Sequence, residues 1–338
     1  MEIKISLYRG YANTAQIVVS GHIFKDKAPS DFPLNAKKLK FALNMIKLFR
    51  VKTLAHAEVS LRFRNQTFTT RSMKDGFFQF IIPYTVSIEP GWHSYQIRAQ
   101  YHKVVQRAQG EFIKPYPGEF GFISDIDDTF LVSHSDTFFK KIYLLLTRNI
   151  NKRKVFGDVV THYQFLSTMG KKSATQTNAF FYVSSSEWNL YPFITHFTHK
   201  HGLPKAVLKL KDIKRGLADF LFTGGGSHDH KFHKIKHLLE FYPELRFVLL
   251  GDDSQKDPDI YLKICQMFPE NVLAVYIRQT TSNKKTKVQA KLNKLSDLGL
   301  ATCYFRDSAS ALSHTKDLMP EEVPSITGPE TAGEEKHA

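Results

Sequence analysis

The sequence predicts an α/β protein: a mostly parallel sheet interleaved with helices, preceded by a small β-sandwich. Three observations carry that expectation. Short β-branched and aromatic runs with turns between them fill residues 1–116. A Pro/Gly-rich stretch, KPYPGEFG at Lys114–Gly121, follows them. Beyond it, strand-like and helical patterns alternate. The length of 338 residues suits two domains. A hydrophobic content of 42% with 13% aromatics supplies real cores and excludes a disordered chain.

In chain order, QIVVSGHIF, AEVSLRF, QTFTT, GFFQFIIPY and HSYQIRAQYH read as strands, with KDG (Lys74–Gly76) and EPGWH (Glu89–His93) as turns. One insertion interrupts them, Leu34–Arg50. On a helical wheel Lys37, Lys40, Asn44 and Lys47 share a narrow arc opposite Leu39, Ala42, Leu43 and Ile46. After the linker, strand-like runs at Phe120–Ser124, Ala179–Ser184, Arg246–Gly251 and Val272–Tyr276 alternate with helical stretches such as DVVTHYQFLSTM and HKIKHLLEFYP. That interleaving predicts βαβ units with right-handed crossovers. From His314 the chain turns polar and carries six acids, which predicts a disordered acidic tail over 314–338. The expected domains are therefore 1–116 with its basic amphipathic insertion at 34–50, then 117–313, then the tail.

Lys and Arg number 47 against 32 Asp and Glu, a formal charge of +15. Such an excess predicts an anionic partner: nucleic acid, a phospholipid surface or a phosphorylated substrate. No nucleic-acid-binding motif is present, which disfavours the first. Cys265 and Cys303 are the only cysteines, too few for a disulfide scaffold, so a reducing compartment is expected. No run approaches the roughly 18–20 apolar residues that span a bilayer, and the start of the chain lacks the apolar stretch of a signal peptide. The expected location is cytoplasmic.

Chemistry concentrates at the strand ends. FGFISDIDDTF places Asp125, Asp127 and Asp128 directly behind an apolar run. In a doubly wound sheet, ligands bind beyond the carboxyl ends of the strands. Two carboxylates converging there repel unless a cation neutralises them, and Mg²⁺ suits a site of few carboxylates, waters and substrate phosphate. A carboxylate is also a nucleophile toward phosphate esters, with a second acid to protonate the leaving alcohol and later activate water. Taken alone, such a run reads as turn residues or helix caps. A calcium loop is excluded because Phe130 stands where such loops need Gly.

The other strand ends add the complementary groups. FFYVSSSEWNLY leads its hydroxyl cluster with Ser184, suited to hold a phosphoryl oxygen. RFVLLGDDSQKDPDIY ends in Asp252, Asp253 and Asp257, carboxylates that complete a cation site. Lys231, ahead of a helix, can neutralise phosphate and nucleophile together.

In this order, DIDDT, Ser184, Lys231 and GDDSQKD resemble the four motifs of the haloacid dehalogenase superfamily of phosphotransferases. More narrowly, SDIDDT, YVSSSEWNLY, HKFHKI and LLGDDSQKDPDIY are similar to the actin-patch-protein type of phosphatidate phosphatase, over roughly residues 117–280. YRGYA near the start fits that family's β-rich accessory domain. The resemblance implies a Rossmann-like haloacid dehalogenase domain. It implies Asp125 as nucleophile, Asp127 as acid/base, Thr129 shaping the turn, and Ser184 and Lys231 binding the phosphoryl group. It implies an Mg²⁺ site drawn from Asp125, Asp127, Asp252, Asp253 and Asp257. Two positions depart from the family pattern. Glu187 stands where Pro is usual, and Asp253 and Ser254 fill the last two places of a motif that usually reads Gly-Asp-Ser-Gly. Asp252 and Asp253 thus both remain candidates for the cation.

The expected function is a Mg²⁺-dependent phosphatidate phosphatase, acting through an aspartyl-phosphate and attached peripherally to a membrane. A phosphatase of soluble phosphomonoesters is the first alternative. A membrane-binding scaffold with a vestigial site is the second. Phe138–Lys154 joins an apolar cluster to Lys140, Lys141, Arg148, Lys152, Arg153 and Lys154. With Leu34–Arg50 it makes two basic, apolar stretches that suit an anionic interface, where packed helices with a charged outer face are the plainer reading. His228, His230, His233 and His237 predict a basic entrance to the phosphate site rather than a transition-metal site, and TGGGS (Thr223–Ser227) a mobile loop beside Lys231. Nothing in the sequence fixes an oligomeric state.

Overall fold

The computed structural model describes residues 1–31, 50–116, 120–126, 150–171, 173, 176–211, 229–254, 256–280 and 283–318. Asp127, Thr129, Lys37, Lys40, Lys47, Lys140, Lys141, His228 and the TGGGS stretch lie outside these residues.

The first half contributes β1 (Ile3–Ala12), β2 (Gln16–Lys25), β3 (Lys52–Thr53), β4 (Glu58–Phe63), β5 (Gln66–Arg71), β6 (Phe77–Pro83), β7 (Gly91–Tyr101) and β8 (Val104–Lys114). Their hydrogen bonds run β3-β2-β1-β8-β7-β4-β5, with β6 also on β2. All pairings are antiparallel except β1 with β8, which is parallel at Gly10 and Tyr11. The result is one mixed sheet whose β5 and β6 approach each other, so that it curls around a core including Val19, Ile23, Val59, Leu61, Phe78, Phe80, Ile97 and Phe112. The sequence expectation was two sheets of a sandwich. Alternation reports an inward and an outward face, and that pattern is the same for two packed sheets and for one that curls.

The second half contributes β9 (Phe120–Asp125), β10 (Ala179–Glu187), β11 (Ala206–Lys211), β12 (Arg246–Asp252), β13 (Val272–Arg278) and β14 (Ala301–Phe305). Every pairing among them is parallel. The order is β11-β10-β9-β12-β13-β14. Numbered within this sheet, that is 3-2-1-4-5-6, which reverses direction between β9 and β12. Its described helices are α1 (Ile150–Thr168), α2 (Tyr191–Lys200), α3 (Asp229–Phe241), α4 (Asp257–Met267), α5 (Lys285–Asp297) and α6 (Ser308–Leu318).

These helices cover both faces. Phe122, Phe180, Tyr182, Val248 and Leu250 point to one side, where α1, α2 and α6 bring Val159, Tyr163, Leu166, Phe193, Phe197 and Ala311. Ile123, Phe181, Val183, Phe247 and Leu249 point to the other, against Ile235, Leu238, Tyr261, Ile264 and Leu292 of α3, α4 and α5. Burial on two faces is why these strands read as continuous apolar runs rather than alternating ones. Each such side chain contributes about 1.5–3 kcal/mol on burial. The offset stack of Phe122 on Phe180, 4.7 Å between centroids, adds about 0.5–1.5 kcal/mol.

Helix α6 continues to Leu318 with Thr315 buried, so the tail expected from 314 starts no earlier than 319 in the structure. Residues 319–338 lie outside the described ones.

Candidate active site

The central strand β9 is buried from Gly121 to its end, so Asp125 arrives at the sheet's carboxyl edge with no exposed surface. Val183 of β10 pairs with Asp125 on one side, and Leu250 of β12 pairs with Ser124 on the other. Three strand ends therefore converge where the strand order reverses, the place an open parallel sheet offers to ligands.

Asp252 ends β12, and Asp257 opens α4 five residues later. Carboxylate oxygens of Asp125, Asp252 and Asp257 all lie within 4.8 Å of one another, and all three residues are fully buried. Lys231, near the start of α3 and 4% exposed, enters this group. Its ammonium is 3.1 Å from Asp125 Oδ1 and makes a short hydrogen bond to Asp257 Oδ1. The backbone N–H of Ser254 donates to Asp252 Oδ1 at 2.5 Å. Gly251 permits the approach of Asp257: a Cβ there would stand 2.6 Å from Asp257 Oδ2 and 2.9 Å from Tyr261 Cε2.

Lys231 pairs with two of the three buried carboxylates, Asp125 and Asp257, and the buried Arg278 guanidinium feels the charge of Asp252. Burial, reinforced by the Asp125 carboxylate, pushes Asp257 up to about 7 even though Lys231 pulls the other way. Asp125 Oδ2 is buried without a hydrogen-bond partner among the described residues. A buried carboxylate oxygen left so costs several kcal/mol unless a cation meets it. An all-oxygen donor set of few carboxylates fits a hard divalent cation of the Mg²⁺ kind.

Asp253 does not join this group. Its Oδ1 accepts from Thr280 N–H at 2.8 Å and Thr280 Oγ1 at 2.5 Å, and its Oδ2 from Tyr304 O–H at 2.8 Å. Alternation at a strand end turns neighbouring side chains to opposite sides, so of the two candidates Asp252 faces the cluster and Asp253 faces β13 and β14. Ser184 is buried beyond Val183, and its Oγ accepts from Ser186 N–H at 2.9 Å. Asp127 and Thr129 are outside the described residues.

Residues 120–279 match the family described as "Phosphatidate phosphatase APP1, catalytic domain". Over that span the chain is similar to this family. A protein of Saccharomyces cerevisiae named "Phosphatidate phosphatase APP1" is 25% identical over 173 residues, 49% of this chain and 27% of that protein. An uncharacterized protein of Schizosaccharomyces pombe is 24% identical over 103 residues, 30% of this chain and 16% of that one. The chain thus spans about a quarter or less of the curated relatives it matches. Among solved structures, a carbohydrate acetylesterase from Xanthomonas citri is 8% identical with a TM-score of 0.32, covering 93% of this chain and 73% of that one. A titin fragment is 10% identical with a TM-score of 0.21, covering 38% and 60%. Neither likeness supports an argument.

The family domain does not stand alone. The YRGYA stretch of β1 reaches into it: Arg9 N–H donates to Tyr191 O–H at 2.8 Å, and Tyr11 O–H meets His237 Nε2 at 3.0 Å. His22 of β2 stacks on Trp188, four residues past Ser184, at 4.1 Å between centroids and 9° between planes. Tyr8 O–H lies 2.7 Å from His22 Nδ1. The sequence reading singled out YRGYA, His237 and the stretch with Trp188 and Tyr191, but not His22 or the contacts that join them. The one available signal was the clustering of Tyr8, Arg9 and Tyr11 around Gly10, whose Cβ position lies only 2.5 Å from Val18 O.

Proposed function

We propose that the chain is a Mg²⁺-dependent phosphatase of phosphatidate or a related lipid phosphomonoester, with a haloacid dehalogenase-type domain in residues 117–313. The buried group of Asp125, Asp252, Asp257 and Lys231 at the strand reversal carries this reading. The phospholipid substrate rests on the family, and the chemistry rests on the residues.

Asp125, Asp252 and Asp257 are the described residues that would hold Mg²⁺, with Asp127 a further ligand by resemblance. When bound, the cation supplies positive charge that lets a phosphate dianion enter beside carboxylates. Asp125 attacks phosphorus through a carboxylate oxygen, forming an acyl-phosphate as the ester oxygen departs. Asp127 gives that oxygen its proton and later takes one from the water that attacks the acyl-phosphate, releasing inorganic phosphate and regenerating Asp125. Lys231 holds Asp125 in place and pairs with the phosphoryl oxygens, with Ser184 as a further donor. Burial keeps the nucleophile free of competing water. The enzyme is taken to work in the cytoplasm at a membrane surface.

Phosphate release from phosphatidate in mixed micelles, measured beside a panel of water-soluble phosphoesters, tests the reading. Chelation should stop release and Mg²⁺ restore it, with Asp252→Asn raising the cation requirement more than Asp253→Asn. Equal or greater rates on the soluble esters would move the substrate to that class. No release from any ester would leave only a scaffold.

A further inference from the structure

Where β1 and β2 of the first half meet the edge strand β11, an open groove of about 300 Å³ forms. Its ionisable lining, tyrosines aside, is basic on every described residue. Arg9 comes from β1, Lys209 from β11, and His230, His233, Lys234 and His237 from α3; no carboxylate is among the described residues that line it. The four α3 positions follow the i, i+3, i+4, i+7 spacing of one helical face. Lys231 leaves that face and turns to Asp125 and Asp257 instead. The same helix thus serves two places: its inner side neutralises the carboxylates, and its neighbouring side is basic and open.

The basic side chains are held together by the fold. Lys209 Nζ donates to Tyr11 O–H at 3.1 Å and lies 4.6 Å from the centre of the Tyr11 ring. His237 Nε2 meets the same hydroxyl at 3.0 Å. Lys234 donates to the Leu210 carbonyl at 2.7 Å, which anchors it beside Lys209. Arg9 is steadied by Glu111 at 2.9 Å, from outside the groove. The Lys209 and Lys234 ammoniums gathered this way repel one another, and an anion relieves that repulsion. Aromatic rings line the same groove, among them Tyr8, Tyr11, Trp188 and Tyr191. Basic groups together with flat apolar rings match a ligand with a charged head and an apolar body.

We infer that this groove is a second anion site, distinct from the carboxylate cluster, that takes the phosphomonoester head of an amphiphile without needing a metal ion. The contrast with the catalytic group is one of charge sign. A phosphate dianion enters the carboxylate cluster only with a cation present, whereas the groove attracts it unaided. The site does not depend on the proposed phosphatase activity, since its ligand need not be turned over.

Binding in the presence of chelator separates the two sites. Calorimetric titration of the full chain with a short-chain, water-soluble phosphatidate in EDTA should show binding. Lys209→Gln, and separately the pair His233→Gln with His237→Gln, should weaken it about tenfold, the worth of one charge-assisted hydrogen bond. Asp125→Asn should bind as the unaltered chain does. Thermal melts establish that each variant is folded, and the histidine pair is the second test because those side chains lie at the exposed end of the groove. Inorganic phosphate is the comparison arm. Tighter binding of the ester assigns the groove to a lipid head and apolar body together, and equal binding assigns it to free phosphate; both retain the anion site. Absence of binding in chelator, or binding unchanged in the Lys209 and histidine variants, overturns it. Because the readout involves no turnover, loss of the phosphatase reading would leave this result standing.

Discussion

His162 shows how one buried side chain sets a pH response. It projects from α1 into the core, 1% exposed, with Nε2 at 2.9 Å from Thr315 Oγ1 of α6. Burial, helped by Arg278 and His314, holds its pKa down at about 3 against an ordinary 6.5. The unfolded chain therefore binds a proton here between about pH 6.5 and 3 that the folded chain refuses. Stability from this group is complete above 6.5 and falls as pH drops, by up to about 1.4 kcal/mol per unit. Urea unfolding from pH 7.5 to 4.5 should show that loss, and His162→Gln should flatten it at the expense of lower stability at neutral pH. An identical slope in the variant would mean another group titrates. At this scale the sequence was informative about Asp125, Asp252 and Asp257 only in combination, because acids ending two apolar strands in one order with Ser184 and Lys231 have few purely structural uses. It was silent on His162, since one histidine in a helical pattern carries no mark of burial. It also left Asp252 and Asp253 level, and only the partners Thr280 and Tyr304, which the sequence does not announce, show that Asp253 turns away.

At the scale of elements, β9, β10, β12 and β13 were legible within about three residues because both faces of a central strand are covered and its apolar run is continuous. The edge strands β11 and β14 were not. AVLKLK and ATCYF are short, and one side of each is unpaired in the sheet, so polar and small residues dilute the pattern. The motif at the end of β12 has its own structural demand. Gly251 lets the first turn of α4 close on the strand, and Gly251→Ala would push its Cβ against Asp257 and Tyr261. The expected cost is about 1–3 kcal/mol of stability, together with a raised metal requirement, because Asp257 moves while Asp252 stays. Paired measurements of thermal melting and metal titration check this. A variant that is less stable but binds metal normally would show that the contact supports packing alone.

Across the whole molecule, the two halves are joined through aromatic and polar contacts that no local pattern announces: Arg9 with Tyr191, Tyr11 with His237, and His22 with Trp188. Sequence periodicity reports which face of an element is buried, not which distant element covers it, so the docking of β1 onto the family domain was invisible. Net charge belongs to this scale too. With a formal +15, the chain should sediment with vesicles containing anionic lipid, and a rise in salt should release it because the attraction decays over about 8–10 Å at ordinary ionic strength. Reversal of Lys37, Lys40 and Lys47 should weaken the binding by about 1 kcal/mol per residue if that stretch reaches the surface. The same variant should keep its rate on a soluble phosphoester. Binding indifferent to both salt and reversal would assign those lysines to ordinary solvation.

The central claim is that Asp125 carries the phosphoryl group, and trapping that adduct tests it most directly. Radiolabelled short-chain phosphatidate mixed with enzyme and Mg²⁺, then quenched in acid within milliseconds, should leave label on the protein. The bond should be cleaved by hydroxylamine, as an acyl-phosphate is, and the label should map to the peptide containing Asp125. Asp125→Asn should trap none and lose turnover by at least about a thousandfold while keeping its fold. Label on another residue, or an Asp125→Asn protein that still turns over at a near-normal rate, would contradict the account.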